Sequence, residues 1–244
     1  MRKLFLIRVF SAVFFIGLIG LSLYFCFAAR SVHPLSKITT NPDIVEAVEN
    51  EIRVGIQVGH WKNSELPDEF ERLQEAGGGA TAGTITEWEV CLVIAKQVAK
   101  LLEEKGVVVD ILPATIPVDY KASAFVSIHA DGSEDSSTSG FKVAAYEQDR
   151  TGVAEQLSKT IEENYAEATG MNVDPNITDN MTSYYAFNAN RYDHTISPTT
   201  PGVIVEIGFL TSAQDRRNVV DQPNKSAQGI ADGIIKYLGD IGDL

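Results

Sequence analysis

Cysteine is scarce in this chain: only two, Cys26 and Cys91, occur among 244 residues. Cys26 falls within a long apolar run and Cys91 within a segment of helical periodicity, so the two are not expected to pair. A disulfide-dense scaffold is therefore excluded, and so is a metal site built from cysteine pairs. The stability of the protein must come from an apolar core, for which the chain is long enough.

Basic residues are also few. Lysine and arginine number 20 against 33 aspartates and glutamates, and four of the 20 lie within residues 1–30, which carry no acidic residue. The rest of the chain has 16 basic and 33 acidic residues, a net charge of −17. Such a surface repels phosphate backbones and anionic headgroups, so nucleic acid is excluded as a partner of this part.

Near the N-terminus, residues 9–29 form an uncharged apolar run of the length that crosses a bilayer as a helix. Arg2, Lys3 and Arg8 precede it, which places the N-terminus in the cytoplasm and the residues after Arg30 outside it. We interpret residues 1–30 as a membrane anchor, with a cleaved signal sequence as the alternative. The polar residues 31–50 are interpreted as a linker.

The remaining chain, residues 51–240, alternates strand and helix signals and is interpreted as one catalytic domain. Short apolar runs rich in β-branched residues predict strands at 53–58, 107–112, 124–129, 141–146 and 203–209. Helical periodicity predicts long helices at 86–105, 152–168 and 227–238. This order predicts an α/β fold with a mostly parallel sheet covered by helices on both faces.

Two histidines follow apolar strands, where open α/β sheets bind ligands. His60 ends the segment VGIQVGH and His129 ends AFVSIH. One such histidine alone is more often a turn or core residue, but two on separate strands favour a shared site.

Glu87 opens the predicted helix at 86–105 and lies on its apolar face, three and seven residues before Val90 and Ile94. A carboxylate aimed at the core needs a partner, which a cation held by the two histidines would supply. Glu89 points elsewhere and is assigned to a capping box with Thr86. His60, Glu87 and His129 are thus the predicted ligands of a catalytic zinc site with one open position.

Glu206 interrupts an otherwise apolar predicted strand, VIVEIGF. A strand buried on both faces tolerates a carboxylate only with a partner or a function. We expect Glu206 to handle the proton of the attacking water.

These residues carry a family resemblance. The segments G-H at 59–60, E-W-E-V-C-L at 87–92, S-I-H-A-D at 127–131 and V-E-I-G-F-L at 205–210 resemble the zinc-dependent N-acetylmuramoyl-L-alanine amidases of bacterial cell-wall turnover. The resemblance spans residues 53–238 and implies a twisted, mainly parallel sheet, one Zn²⁺ and a peptidoglycan substrate. It also implies that the residues at 60, 87 and 129 hold zinc and that the residue at 206 assists the attacking water. The chain departs from the family's opening D-P-G-H-G-G, which reads Q-V-G-H-W-K at 57–62.

Residues 169–201 are rich in Asn, Thr, Tyr and Pro and show no clear periodicity. Long irregular segments in compact domains are usually functional. Tyr184, Asn188 and Arg191 are the candidate substrate-binding residues there. Two alternatives stay open at this level: another exported zinc peptidase or deacylase of the cell wall, and a membrane-tethered module that binds peptidoglycan without catalysis.

Overall fold

The computed structural model describes residues 51–74, 77–149 and 151–244. The anchor predicted at 1–30 and the linker predicted at 31–50 lie outside these residues. Within the described part of the chain, no helix has both the length and the apolar character needed to cross a membrane.

Seven strands and six α-helices follow one another along the described residues, with three short 3₁₀ helices among the connecting segments. The strands are β1 (Arg53–Val58), β2 (Thr81–Ala82), β3 (Ile85–Thr86), β4 (Val108–Leu112), β5 (Ala124–Asp131), β6 (Lys142–Ala145) and β7 (Gly202–Phe209). The helices are α1 (Glu71–Gln74), α2 (Glu87–Glu103), α3 (Val153–Thr169), α4 (Asp179–Thr182), α5 (Arg216–Val219) and α6 (Pro223–Ile241).

Five strands form the central sheet in the order β4-β1-β5-β7-β6. The first four are parallel, and β6 pairs with β7 in the antiparallel direction at one edge. The prediction of a mostly parallel sheet is confirmed. The hairpin of β2 and β3, which leads into α2, was not predicted from the sequence; each of its strands has only two residues.

The two faces of the sheet are covered differently. Side chains alternate along each strand, and one set packs in a core with α2, α3 and α6. The other set packs against the irregular segments that follow β4 and α3, with the single-turn helix α4 among them. Helices on both faces were predicted, and the sheet is flanked by helices, but the three long helices all pack on one face. The second face is covered by loops rich in aromatic residues and by short helical turns. Loops leave gaps that packed helices do not, so this face can hold a cleft.

Candidate metal centre and catalytic site

The predicted site residues meet at the carboxyl ends of the parallel strands, where His129 and Glu206 project from the loop-covered face and Glu87 lies at the start of α2. His129 and Glu206 are aligned on the neighbouring strands β5 and β7, so their side chains project from the same face. The alternate residues Ile128 and Val205 point into the helix-covered core. The strand β5 continues to Asp131, so His129 lies inside it rather than directly after it.

His60 reaches the site because the backbone turns sharply after β1. Its φ is 59°, in the left-handed region, and its ring lies 5.2 Å from that of His129. Gly59 makes this approach possible, because a Cβ on Gly59 would stand 2.5 Å from the His129 ring. Asn63, one turn further on, lies 3.2 Å from His60 Nδ1 through its Nδ2 and donates to Gly77 O at 2.7 Å.

Glu87 is the first residue of α2, and it is 3% exposed. Its Oε1 accepts from the Ala130 amide at 3.1 Å and lies 2.9 Å from His129 Nδ1, while Oε2 accepts from the Ala80 amide at 2.8 Å. Gly79 packs closely on the same carboxylate; a Cβ there would stand 2.1 Å from Oε2. The prediction that Glu87 faces inward is confirmed.

The predicted capping box at the start of α2 is wrong in detail. Thr86 is the N-cap residue, but it makes no side-chain hydrogen bond to the amides of the first turn. Its hydroxyl instead donates to Glu89 Oε2 at 2.5 Å on the exposed side of the helix. Glu89 therefore stays away from the buried carboxylate, as expected.

His60, Glu87 and His129 each offer one ligand atom, and these atoms all lie within 4.8 Å of one another. The distance from Glu87 Oε1 is 3.6 Å to His60 Nε2 and 2.9 Å to His129 Nδ1. Ligands at zinc distances around a tetrahedron are about 3.3 Å apart, so the two distances bracket the expected value. The donor set of two imidazoles and one carboxylate fits a catalytic zinc ion.

Burial and mutual electrostatic interactions set the protonation states of His60, Glu87 and His129. Burial acts to raise the pKa of Glu87, but the hydrogen bond from His129 and the charges of both histidines outweigh it and lower that pKa. Burial lowers the pKa of His60. For His129, burial is outweighed by the bond to Glu87, and its pKa is raised. The carboxylate is thus ionised and ready to bind a cation.

Glu206 lies beside these three side chains, and one of its carboxylate oxygens is not engaged by any other described residue. Its Oε2 is buried and has no hydrogen-bond partner among the described residues. Burial, opposed mainly by His129, raises the pKa of Glu206 to about 8. Lys142 of β6 is aligned with Glu206 from the other side, and its ammonium is paired with Asp131 and Asp174. A carboxylate without a partner in such a place is typical of a proton-transfer group.

A cleft of about 410 Å³ opens over the two histidines. All three predicted substrate-binding residues line it: Asn188, Arg191 and Tyr184. Arg191 is exposed and stacks on Tyr192 at 5.1 Å, whereas Tyr184 is 8% exposed and lies 3.0 Å from His129 Nε2. Tyr184 therefore contacts a predicted ligand rather than open solvent.

Two residues at the site were missed in the sequence. Gln57 is fully buried in β1 and contacts Tyr184, and Asn63 contacts His60. A polar residue inside the apolar run RVGIQV was the available signal for Gln57, of the same kind that revealed Glu206. A further histidine, His194, does not join the group and instead lies 2.6 Å from Glu69 Oε1.

An α/β domain that presents two histidines and a glutamate beside a buried carboxylate has the donor set of a metal-dependent hydrolase. Residues 54–236 match the family model described as N-acetylmuramoyl-L-alanine amidase. Since the match covers most of the sequence, the chain belongs to the N-acetylmuramoyl-L-alanine amidase family. The resemblance found in the motifs is confirmed.

Known relatives agree with this assignment. The probable cell wall amidase LytH of Staphylococcus aureus is 24% identical over 160 residues, which cover 62% of this chain and 50% of LytH. The chain thus spans about half the length of that relative.

Solved structures share the fold at low identity. The catalytic domain of CwlV, an N-acetylmuramoyl-L-alanine amidase from Bacillus (Paenibacillus) polymyxa, is 24% identical with a TM-score of 0.54, covering 77% of this chain and 98% of CwlV. The CwlD amidase of Clostridioides difficile, solved with the GerS lipoprotein, is 20% identical with a TM-score of 0.56, covering 78% of this chain and 100% of CwlD.

Proposed function

We propose that this chain is a zinc-dependent hydrolase that cleaves the amide bond between N-acetylmuramic acid and the L-alanine of peptidoglycan stem peptides. The observation that carries the proposal is the convergence of His60, Glu87 and His129 at one point, with Glu206 aligned beside His129. Membership of the amidase family supports the choice of bond.

His60, Glu87 and His129 would hold the zinc through Nε2, Oε1 and Nδ1, the atoms that face one another. When bound, zinc supplies the Lewis acidity that activates water and polarises an amide carbonyl. Glu87 is held for this task from two sides, because the Ala80 and Ala130 amides fix its two oxygens. A ligand fixed in this way loses little freedom when the cation binds.

Glu206 would take a proton from the attacking water and deliver it to the departing amine of L-alanine. A group with this role must gain and lose a proton near neutral pH. Burial, opposed by His129, raises the pKa of Glu206 to about 8, and a nearby dication acts to lower it. Since Oε2 has no hydrogen-bond partner within the described residues, no competing contact must be broken for the transfer.

The cleft over the site would bind the stem peptide and the sugar. Arg191 and Asn188 line it, and the Arg191 guanidinium is exposed and stacks on Tyr192. Stem peptides carry free carboxylates, which an arginine recognises by paired hydrogen bonds. We assign Arg191 to such a carboxylate and Asn188 to a peptide or sugar amide.

The place of action follows from the same proposal. A peptidoglycan amidase works outside the cytoplasm, and residues 1–30 would export residues 51–240 and tether them to the membrane through the linker at 31–50. These N-terminal residues lie outside the part that the structure describes, so the anchor rests on their uncharged apolar run and its basic flank.

Incubation of the purified chain with zinc and defined muropeptides tests the proposal. The expected products are an intact stem peptide with a free L-alanine amine and the matching N-acetylmuramic acid, formed with zinc and lost on chelation. Release of shortened peptides would indicate a peptidase, and free acyl groups a deacylase. Tight binding without turnover, in protein that contains zinc, would indicate a binding module.

A further inference from the structure

A closed network of polar groups lies behind His129, on the side away from Glu87. Tyr184 hydroxyl lies 3.0 Å from His129 Nε2 and 3.0 Å from Gln57 Oε1. Gln57 Nε2 in turn donates to Ala114 O at 2.8 Å and to the Tyr185 hydroxyl at 3.0 Å. Gln57 is fully buried and Tyr184 is 8% exposed, so these groups must satisfy one another.

The orientation of the Gln57 amide is set by the backbone. Ala114 O can only accept a hydrogen bond, so the Gln57 atom that faces it at 2.8 Å must be the NH₂ group. The contact with Tyr185 agrees with this orientation of the amide. The Tyr185 hydroxyl donates its own hydrogen to Ala114 O at 2.6 Å, so its oxygen can accept from the Gln57 NH₂ group. Gln57 therefore presents its carbonyl oxygen to Tyr184.

Tyr184 has one proton, and Gln57 Oε1 takes it. Burial raises the pKa of Tyr184 and the nearby Ser127 Oγ acts to lower it, but Ser127 Oγ does not reach hydrogen-bond geometry, so Gln57 Oε1 is the better-placed acceptor for that proton. The Tyr184 oxygen can then only accept from His129 Nε2, which must carry a hydrogen. Nδ1 is the atom that faces Glu87, at 2.9 Å, and it donates a hydrogen to that carboxylate when no cation is bound. Once a cation replaces that hydrogen, an imidazole that keeps its hydrogen on Nε2 offers the Nδ1 lone pair as the ligand.

We propose that Gln57 and Tyr184 are positioning residues that fix His129 as the Nε2–H tautomer, so that Nδ1 is its metal-binding nitrogen. The inference rests on the proposed function in one respect, namely that a metal binds to His129. Neither Gln57 nor Tyr184 would touch the metal; both would act through His129, whose Nε2 faces Tyr184 and whose Nδ1 faces Glu87.

Loss of the Tyr184 hydroxyl and loss of the Gln57 amide have different consequences for His129. In Tyr184→Phe, the His129 Nε2 hydrogen loses its acceptor in a buried place, but the ring packing against Tyr185 and Phe187 is kept. In Gln57→Leu, Tyr184 loses its acceptor and is free to donate to Nε2 instead. This arrangement puts the hydrogen of a neutral imidazole on Nδ1 and blocks the ligand atom.

Zinc affinity of the full chain, measured by competition with a chromogenic chelator, is the first test. We expect Tyr184→Phe to bind zinc about 10- to 100-fold more weakly, the usual effect of losing such an outer partner of a ligand. Tyr185→Phe is the matched control: it removes the neighbouring hydroxyl, which contacts Gln57 and Ala114 but not His129. Its zinc affinity should stay within about threefold of the wild type.

A conservative variant separates positioning from support of the fold. Gln57→Glu still offers Tyr184 an acceptor oxygen, whether the new carboxyl is ionised or protonated, but disturbs the contacts with Ala114 and Tyr185. We expect it to lower the thermal unfolding temperature while keeping zinc affinity well above that of Gln57→Leu. If both Gln57 variants lose affinity in proportion to their lost stability, the role is structural and the inference fails.

Imidazole ¹⁵N NMR of the zinc-loaded chain gives a readout that does not depend on activity. The expected spectrum shows a proton on Nε2 of His129 and the metal-induced shift on Nδ1. The reverse pattern, or a Tyr184→Phe chain that binds zinc as tightly as the wild type, would overturn the inference. Failure of the proposed function would show separately, as zinc-loaded protein that leaves muropeptides intact.

Discussion

His129 and Glu206 are register partners on adjacent parallel strands, and both side chains leave the sheet on the face that long helices do not cover. In the proposed function, β5 would thus supply a metal ligand, and its neighbour β7 would supply the proton-transfer group at the same position along the sheet. Lys142, aligned with Glu206 on the following strand, extends the row. The alternation of side chains along a strand is sufficient to produce this arrangement, since a shift of one residue would bury either group in the helix-covered core.

Replacement of Glu206 by glutamine should separate metal binding from catalysis. The amide keeps the size of the side chain but cannot accept the proton of the attacking water. We expect zinc to stay stoichiometric while kcat on muropeptides falls by at least about 100-fold, within the range for a positioned acid–base group. Elemental analysis and steady-state kinetics check this. Full turnover in this variant would remove Glu206 from the mechanism.

Two glutamates at the start of α2 form a natural pair for testing the ligand assignment. Glu87 is buried against both histidines, whereas Glu89 contacts the Thr86 hydroxyl on the exposed side. Glu87→Gln should lose most of its zinc, because a neutral amide oxygen replaces the charged ligand atom. Glu89→Gln should keep zinc and activity and change the free energy of unfolding by about 0.5 kcal/mol or less. Equal zinc content in both variants would contradict the assignment.

Much of this site could be predicted from the sequence because its signals were local. Each strand of the central sheet was predicted to within two residues, and the inward face of Glu87 followed from the spacing of Val90 and Ile94. The way in which the second face of the sheet is covered could not be predicted from the sequence. Irregular segments cover it, and their packing leaves no periodic pattern of apolar residues. Tyr184 shows the same limit: it was assigned to substrate, and only its packing reveals the contact with His129.

Arg191 should affect substrate binding more than turnover. Its guanidinium lines the cleft, and we assign it to a stem-peptide carboxylate. Arg191→Gln should raise KM about tenfold or more, since a hydrogen bond to a charged group contributes about 1.5–3 kcal/mol, with kcat nearly unchanged. Arg217→Gln is the matched control, because Arg217 is an exposed arginine on α5, at a position that does not line the cleft. A substrate that lacks free carboxylates should abolish the difference between the two variants.

A comparison of Gly79 with Gly83 separates the cost of placing a side chain in a left-handed backbone from the effect of contact with the site. Both have positive φ, 79° and 64°, so an alanine at either position costs about 1–2 kcal/mol of folding free energy. They differ in surroundings. A Cβ on Gly79 would stand 2.1 Å from Glu87 Oε2 and 2.7 Å from the His60 ring, whereas a Cβ on Gly83 meets nothing within 4 Å.

We therefore expect Gly79→Ala and Gly83→Ala to lower stability in denaturant unfolding, but only Gly79→Ala to weaken zinc binding, by tenfold or more. The new methyl group must push either Glu87 or the backbone at Gly79 aside, and that backbone leads directly to the Ala80 amide that holds Oε2. Zinc affinity by chelator competition decides between these outcomes. Equal zinc affinity of the two variants would mean that the Gly79 segment does not support Glu87, and that the ligand is held by Ala130 and the histidines alone.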